Sequence, residues 1–228
     1  LQSVVIELNE RELESATTEE DHQVFSSYSA GDKSADQIED LLVESGLWTT
    51  IRVRPFGRAP AVGTRPGALF LTCMDTEPLC PDVAKVLKGN ESNFAAGVEA
   101  LCKLSATTFL CVSPNSPIPA AAGQHNATVE EFSGKHPAGL AGTHIHFLYG
   151  ASRNKSAWHV HLQDIIAIGH LMNTGRILVD RVISIAGPQV NNPRLMKTRV
   201  GASTDVIANG ETKDGDNRLI SGSALSGR

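Results

Sequence analysis

What this chain of 228 residues lacks excludes several classes of protein. Its four cysteines form no CxxC pair, so the usual zinc-ribbon and iron–sulfur spacings are excluded, and the thiols fit a reducing compartment in which they act as small hydrophobes. No apolar run approaches the roughly 18 to 20 residues of a membrane-spanning helix. The net charge is −5 without a basic cluster, which disfavours nucleic-acid binding because phosphate neutralisation needs concentrated Lys and Arg.

Two nucleotide-binding signatures are also missing. The chain contains neither GxGxxG nor GxxxxGK[ST], so a dinucleotide or P-loop nucleotide site has little support. The hydrophobic content of 41% is sufficient for the core of one large or two modest domains.

The first half of the chain has the pattern of an α/β protein. Ser34 and Gln37 have capping-box spacing, which predicts a helix from about Ala35 to Ser45. Two short apolar runs, residues 68–72 and 107–112, are typical of buried parallel strands, and a helical pattern over 92–103 separates them. Strand, helix and strand in this order predict a right-handed βαβ unit.

Asp75 and Glu77 follow the first of these strands. In open α/β sheets ligands bind beyond the carboxyl ends of the strands, so both carboxylates lie where a site is expected. Asp, Thr and Pro also form ordinary turns, and that alternative stays open.

The glycine-rich segment 134–148 is interpreted as a hinge that leads into a strand. Side chains alternate along a strand, so His144 and His146 are predicted to share one face. They could hold a metal, form the polar wall of a pocket, or make ordinary surface hydrogen bonds. A zinc site needs further ligands, and no Cys or carboxylate is spaced to supply them locally.

The residues after the hinge predict a small mixed sheet. Residues 158–162, 164–168 and 176–186 are strongly β-prone. His159 and His161 repeat the HxH pattern of the hinge, which raises the hypothesis of a four-histidine metal site. That hypothesis requires the two histidine strands to pair in register.

The N-terminal residues are predicted to form a short strand followed by an irregular acidic segment. Residues 1–8 alternate enough to predict an entering strand, whereas residues 9–29 are acidic and predict a solvated loop or a poorly ordered helix.

Farther along, Arg52, Arg54 and Arg58 stand among prolines in a stiff loop. The three arginines could receive an anionic group or a partner's carboxylate, or they could belong to a solvated surface.

Six longer motifs follow one another along the chain. They are RPFGRAPAV (54–62), FLTCMDTEPLCPD (70–82), FSGKHPAGLAGTHIHFL (132–148), QDIIAIGHLMNTG (163–175), GPQVNNPRLMKTRVGAS (187–203) and NRLISGSALSGR (217–228). In this order they resemble the motifs of the A-subunit family of the bacterial sodium-translocating NADH:quinone reductase. The resemblance extends over nearly the whole chain and is weakest in residues 9–33 and 113–126.

The resemblance implies a fold related to the flavoprotein subunit of respiratory complex I. We expect a Rossmann-like α/β domain over residues 1–153 and a small β-grasp-like domain, akin to soluble-ligand-binding β-grasp modules, over residues 154–228. The family's chain is longer at both ends, so we expect this sequence to be a piece of it, with an incomplete second domain.

The resemblance also implies a peripheral subunit on the cytoplasmic face of the bacterial inner membrane. Its complex passes electrons from NADH through FAD, FMN, riboflavin and iron–sulfur centres to ubiquinone while it pumps sodium. The NADH- and flavin-binding glycine loops of the complex I relative have no counterpart here. We therefore expect no cofactor or metal in this chain and all redox centres in partner subunits.

Two functions remain open for such a subunit. The first is ubiquinone binding together with assembly of the complex, for which the candidate residues are Phe56, His136, His144, His146 and Phe147. The motifs assign no catalytic residue. The alternative is a structural module that docks onto the membrane subunits through its arginine loop and never contacts substrate. A stand-alone metalloenzyme built on the four histidines is the third and weakest hypothesis.

Overall fold

The computed structural model describes Ile6, residues 23–123 and residues 125–228. The strand predicted over residues 1–8 and most of the acidic segment 9–29 lie outside the described residues. Residues 23–29 contain neither helix nor strand.

A five-stranded sheet forms the larger part of the molecule. Its strands are β1 Arg52–Arg54, β2 Leu69–Thr72, β3 Thr108–Val112, β4 Thr128–Glu131 and β5 Ala157–His161. They lie in the order β1-β5-β2-β3-β4. Strands β5, β2, β3 and β4 run parallel, and β1 pairs antiparallel with β5 at one edge. This arrangement confirms the predicted α/β class with a parallel sheet.

Helices cover the two faces of this sheet unequally. Apolar side chains of α1, α3 and α6 join Leu71 and Val160 in the main core. On the opposite face Ile145 of α5 packs with Phe70 in a smaller cluster. The helices are α1 Ala35–Glu44, α2 Val83–Leu87, α3 Glu91–Lys103, α4 Ile118–Ala122, α5 Ala141–Leu148 and α6 Leu162–Thr174, with a short 3-10 helix Leu47–Thr50 after α1.

Helix α1 begins as its sequence predicts. The Ser34 hydroxyl accepts a hydrogen bond from the Gln37 backbone N–H, and the Gln37 side chain accepts one from the Ser34 N–H. Together these bonds satisfy two of the backbone donors that a helix start leaves free.

A small second sheet follows the five-stranded one. Strands β6 Asp180–Ile185 and β7 Arg194–Arg199 pair antiparallel, and the short helix α7 Thr204–Ala208 comes after them. The fold class is thus a parallel-sheet domain followed by a small antiparallel unit.

The structure contradicts the domain boundary predicted after residue 153. Strand β5 inserts beside β2, with Thr72 opposite His161, and so belongs to the first sheet. Residues 164–168, predicted as a strand, lie in α6. Their β-branched residues favour a strand locally, but Leu162, Ile165 and Ile166 have helical spacing and bury against the core, and tertiary packing decides.

The strand predicted at the end of segment 134–148 is also wrong, because residues 141–148 form α5. Ala141, His144 and Ile145 recur at helical spacing and are buried. Residues two apart on a helix lie about 200° apart around its axis. His144 is therefore buried, whereas His146 is exposed, and the two do not share a face.

Candidate functional site

The strand order of the parallel sheet reverses at β2 and β5. From β2 the chain proceeds to β3 and β4, whereas β5 lies on the other side of β2. Such a reversal leaves a crevice outside the carboxyl ends of the two strands. Here the crevice is an open cleft of about 280 Å³.

The cleft combines apolar walls with a polar end. One wall comes from the segment between β2 and α2, and the other comes from the first turn of α6. Its apolar residues are Met74, Pro81, Val83, Val86 and Leu162, and its polar residues are Thr72, Asp75, His161, Gln163, Asp164 and Arg181. Of the two carboxylates that the sequence places beyond β2, Asp75 lines the cleft.

Thr72 is the innermost polar residue of this cleft. Its side chain is only 2% exposed, and its Oγ1 has no hydrogen-bond partner among the described residues. A buried hydroxyl without a partner costs about 1–3 kcal/mol. Thr72 lines the cleft next to His161 on the neighbouring strand, and its Oγ1 is itself buried.

The small sheet closes the polar end of the cleft. The Gln163 side chain donates to the Val182 carbonyl over 2.9 Å and accepts from the Val182 N–H over 2.8 Å, as a neighbouring strand would. Arg181 donates to the Gln163 carbonyl over 2.8 Å and to Asp164 over 2.7 Å. Burial raises the pKa of Asp164, and the Arg181 charge opposes that rise.

Two buried histidines, His144 and His159, lie on the α5 side of the sheet, and His159 shares this face of β5 with His161 of the cleft. Nε2 of His144 lies 2.9 Å from the Ala138 carbonyl oxygen. Because a carbonyl only accepts, Nε2 carries the proton and Nδ1 is left as an acceptor. Nδ1 of His144 and Nδ1 of His159 are both buried without a partner among the described residues.

These two histidines are held neutral. Burial, followed by the nearby charges of His161, Arg54 and Arg52, lowers the pKa of His159 to about 3. Burial also lowers the pKa of His144, against the effect of its hydrogen bond to Ala138. Uncharged imidazoles in this position can accept or donate hydrogen bonds without adding charge to the sheet.

The five residues predicted for quinone binding do not form one pocket. His136 comes closest to the cleft, since its Nδ1 lies 3.4 Å from Oγ1 of Thr76. The loop that carries it packs tightly there, because a Cβ on Gly139 would lie 2.6 Å from the Thr76 nitrogen. His144 is buried in α5 and does not line the cleft.

The other three predicted residues are on the surface. Phe56 is 52% exposed and Phe147 is 73% exposed. His146 is exposed and its ring makes an edge-on contact with Phe147, with ring centroids 5.3 Å apart. None of the three lines the cleft described above.

The four-histidine metal hypothesis finds no geometry to support it. Strand β5 does carry His159 and His161 on one face, with ring centroids 5.2 Å apart. Because His144 and His146 lie on a helix, they do not pair with that strand in register. Across Ile6, 23–123 and 125–228, no group of three or more His, Cys, Asp or Glu could hold a metal ion.

Two residues of the predicted arginine loop, Arg52 and Arg54, lie in strand β1 at the sheet edge, and Arg58 lies in the turn that follows it. Arg52 and Arg58 are exposed, and Arg54 is half-buried. A Cβ built on Gly142 would lie 3.4 Å from Nη2 of Arg54, so the loop is next to α5.

Sequence reasoning missed Thr72, Gln163 and Arg181 as site residues. Thr72 is the last residue of an apolar strand whose end was expected to face a site, and that position was the available signal. Nothing in the local sequence of Gln163 or Arg181 indicates that β6 would lie against the first turn of α6.

In the parts of the chain that the structure covers, no helix has the length and hydropathy needed to cross a membrane.

Comparison with known proteins identifies two family regions. Residues 33–177 match the model described as NqrA second alpha/beta domain, and residues 182–228 match the NQRA C-terminal domain. The transition between them falls after α6, which agrees with the sheet topology and not with a boundary at residue 153.

Similar proteins carry the name of the A-subunit of Na(+)-translocating NADH-quinone reductase. The chain is 47% identical over 231 residues to that of Alcanivorax borkumensis, covering 100% of this chain and 50% of the relative. Identity is 45% over 230 residues to that of Actinobacillus pleuropneumoniae serotype 5b, with the same coverage. These matches confirm the resemblance found in the motifs, and the chain spans about half the length of these relatives.

A solved structure shares the fold at low sequence identity. The NAD+-reducing [NiFe]-hydrogenase in its H2-reduced state superposes with a TM-score of 0.56 and 12% identity, over 78% of this chain and 39% of that one. This likeness concerns the fold alone.

Proposed function

Since the chain belongs to the NqrA family of the Na+-translocating NADH-quinone reductases, we propose that it contributes ubiquinone binding and assembly contacts to such a complex. In this proposal the chain is a peripheral subunit on the cytoplasmic face of the bacterial inner membrane. The observation that carries the ubiquinone part is the cleft at the carboxyl ends of β2 and β5, with the unpartnered Thr72 hydroxyl inside it.

The chemistry of the cleft suits a quinone head group. A quinone is a planar apolar ring with two carbonyl oxygens, and it requires an apolar slot with one or two hydrogen-bond donors. Met74, Val83 and Val86 supply the apolar wall, and Thr72 and His161 supply donors side by side. The volume of about 280 Å³ is near the lower end for small-ligand pockets, which suits a head group whose isoprenoid tail extends outside.

The chain's own part is to bind and orient the quinone. FAD, FMN, riboflavin and iron–sulfur centres in partner subunits would supply the electrons, since side chains of this kind do not carry them. Thr72 and His161 would donate to a quinone oxygen, and the buried position of Thr72 would exclude water from that oxygen.

A titration with short-chain ubiquinone tests the proposal. Trp158 lies on β5 three residues before His161, and its ring packs edge-on against Trp48 at 5.5 Å between centroids, so a ligand in the cleft should quench indole fluorescence. We expect saturable quenching by the full-length subunit. Thr72→Val keeps the shape of the side chain and removes the hydroxyl, and should weaken affinity roughly tenfold.

The matched control is Thr108→Val, which changes an equally buried threonine at the start of strand β3, the end away from the cleft. It should leave quinone affinity unchanged. Equal affinities for wild type, Thr72→Val and Thr108→Val would mean that quinone binds at a place where it does not contact Thr72.

The alternative function is a docking module without substrate contact. It is favoured by the surface position of Phe56, Phe147 and the arginine loop, none of which lines the cleft. The titration separates the two functions: a full-length subunit that assembles with its complex but never binds quinone supports the alternative.

A further inference from the structure

Residues 52–58 form a closed turn at the edge of the five-stranded sheet. The Val53 N–H donates to the Arg58 carbonyl over 2.8 Å, and the Gly57 N–H donates to the Val53 carbonyl over 2.6 Å. We call residues 52–58, which contain the three arginines of the predicted arginine loop, the arginine turn. Its hydrogen bonds fix the backbone, so its side chains leave the sheet edge in defined directions.

The arginines of this turn form no ion pair with the residues that the structure describes. No carboxylate of the described residues lies within 4 Å of Arg52, Arg54 or Arg58. Elsewhere in the described chain, Arg65, Arg181 and Arg194 do form ion pairs. The arginine turn places three guanidinium groups without a described ion pair within seven residues of a chain whose net charge is −5.

An exposed aromatic side chain stands among these charges. The ring of Phe56 is exposed, and the Arg58 guanidinium carbon lies 5.3 Å from its centroid. Arg54 reaches Gly142, so the start of α5 adjoins the turn. Arginines and aromatic rings are the residues that most often dominate binding energy at protein interfaces.

We propose that the arginine turn docks onto a carboxylate-bearing segment of another protein in the complex, with Phe56 as the apolar anchor. The choice of complex rests on the proposed function above. A planar guanidinium pairs with a carboxylate through two parallel hydrogen bonds, and three arginines around one ring can bind a segment with two or more Asp or Glu residues.

A protein partner fits better than a lipid surface. Membrane-surface binding draws on a broad apolar face or on a cluster of several basic residues. The arginine turn offers one aromatic ring, and the rest of this acidic chain would be repelled by anionic lipid.

The test combines the full-length subunit with the remainder of the complex, each purified separately. Arg52→Glu/Arg58→Glu changes two exposed side chains, and Arg153→Glu/Arg218→Glu makes the same charge change at positions elsewhere. Biolayer interferometry at low and high salt should show roughly 30-fold weaker association for the first variant, and a wild-type affinity that falls with salt. The control variant should associate like the wild type.

A photo-reactive residue in place of Phe56 identifies the contact. Cross-links to a partner peptide rich in Asp or Glu support the proposal, and cross-links to a peptide without acidic residues contradict it. Unchanged association of Arg52→Glu/Arg58→Glu, with normal thermal unfolding, overturns it. The proposal is also overturned if wild type binds phosphatidylglycerol vesicles, Arg52→Glu/Arg58→Glu no longer binds them, and this variant still associates with the complex. A wild-type protein that fails to associate at all contradicts the proposed function as well.

Discussion

Gly169 of α6 lies so close to Asn93 of α3 that a Cβ at position 169 would be 1.6 Å from the Asn93 carbonyl oxygen. Gly97 of α3 is also in close contact, since its Cβ would lie 2.1 Å from the Ile165 carbonyl oxygen. The two helices therefore touch backbone to backbone. This contact holds α6 against α3 and thereby positions the first turn of α6, which forms one wall of the cleft.

Replacing Gly169 with alanine should destabilise the fold. The methyl group clashes with main-chain atoms that cannot move separately, so we expect a loss of about 3 kcal/mol or more in the free energy of unfolding, measured by urea denaturation. Gly142→Ala in α5 is the control, because its methyl would meet only the flexible Arg54 side chain at 3.4 Å. Equal stability of the two variants would show that the helices separate without cost.

Removing the α1 cap should have a smaller effect. Ser34→Ala deletes the hydroxyl that accepts from Gln37, and we expect a loss of about 1 kcal/mol in urea denaturation. Ser29→Ala, at an exposed position outside any helix, should change nothing. A Ser34→Ala variant as stable as wild type would mean that α1 is held by packing alone.

Acidification should destabilise the protein through His159. Its pKa is about 3 in the folded state and near 6.5 when unfolded, so the unfolded chain binds the proton first. Stability is complete above pH ~6.5 and falls as the pH drops from there toward 3, by up to ~1.4 kcal/mol per pH unit. His144, whose pKa is also lowered, contributes in the same direction.

Urea denaturation between pH ~7 and ~5 measures this dependence, above the range in which ordinary carboxyl groups titrate. His159→Gln should reduce the slope of stability against pH, and His146→Gln, at an exposed position, should not. A slope that is the same in wild type and His159→Gln would contradict the assignment.

Gln163→Ala should loosen the small sheet from the cleft. The substitution removes both side-chain hydrogen bonds to Val182, so hydrogen exchange of β6 amides should accelerate roughly tenfold relative to those of β2. Gln189→Ala is the control, since the Gln189 side chain is exposed. Unchanged exchange in β6 would indicate that Arg181 and apolar packing alone hold this sheet.

The sequence predicted the parallel sheet because the evidence for it is local. The apolar runs at 68–72 and 107–112, and the Ser34 cap, are recognisable without any partner in space. The predicted strand at 143–148 was wrong because its β-branched and aromatic residues also satisfy a helix. Burial of Ala141 and His144 on one side selects the helix.

The candidate site was only partly predictable, because several of its residues come together only through tertiary contacts. A position beyond β2 was expected from strand order, and Asp75 lies there. The contribution of His161, Gln163 and Arg181 depends on β5 lying beside β2 and on β6 lying against α6. The first pairing joins residues more than 80 positions apart, the second joins a helix to a separate sheet, and no local pattern specifies either.

The sequence by itself determined the α/β class, the start of α1 and the family, since each depends on residue order alone. The tertiary structure decided that β5 joins the first sheet, that residues 141–148 are helical, and that Thr72 is left without a partner inside a cleft. The physical reason is that burial and hydrogen-bond satisfaction are properties of the whole fold. A segment with two acceptable local structures adopts the one that its neighbours can cover.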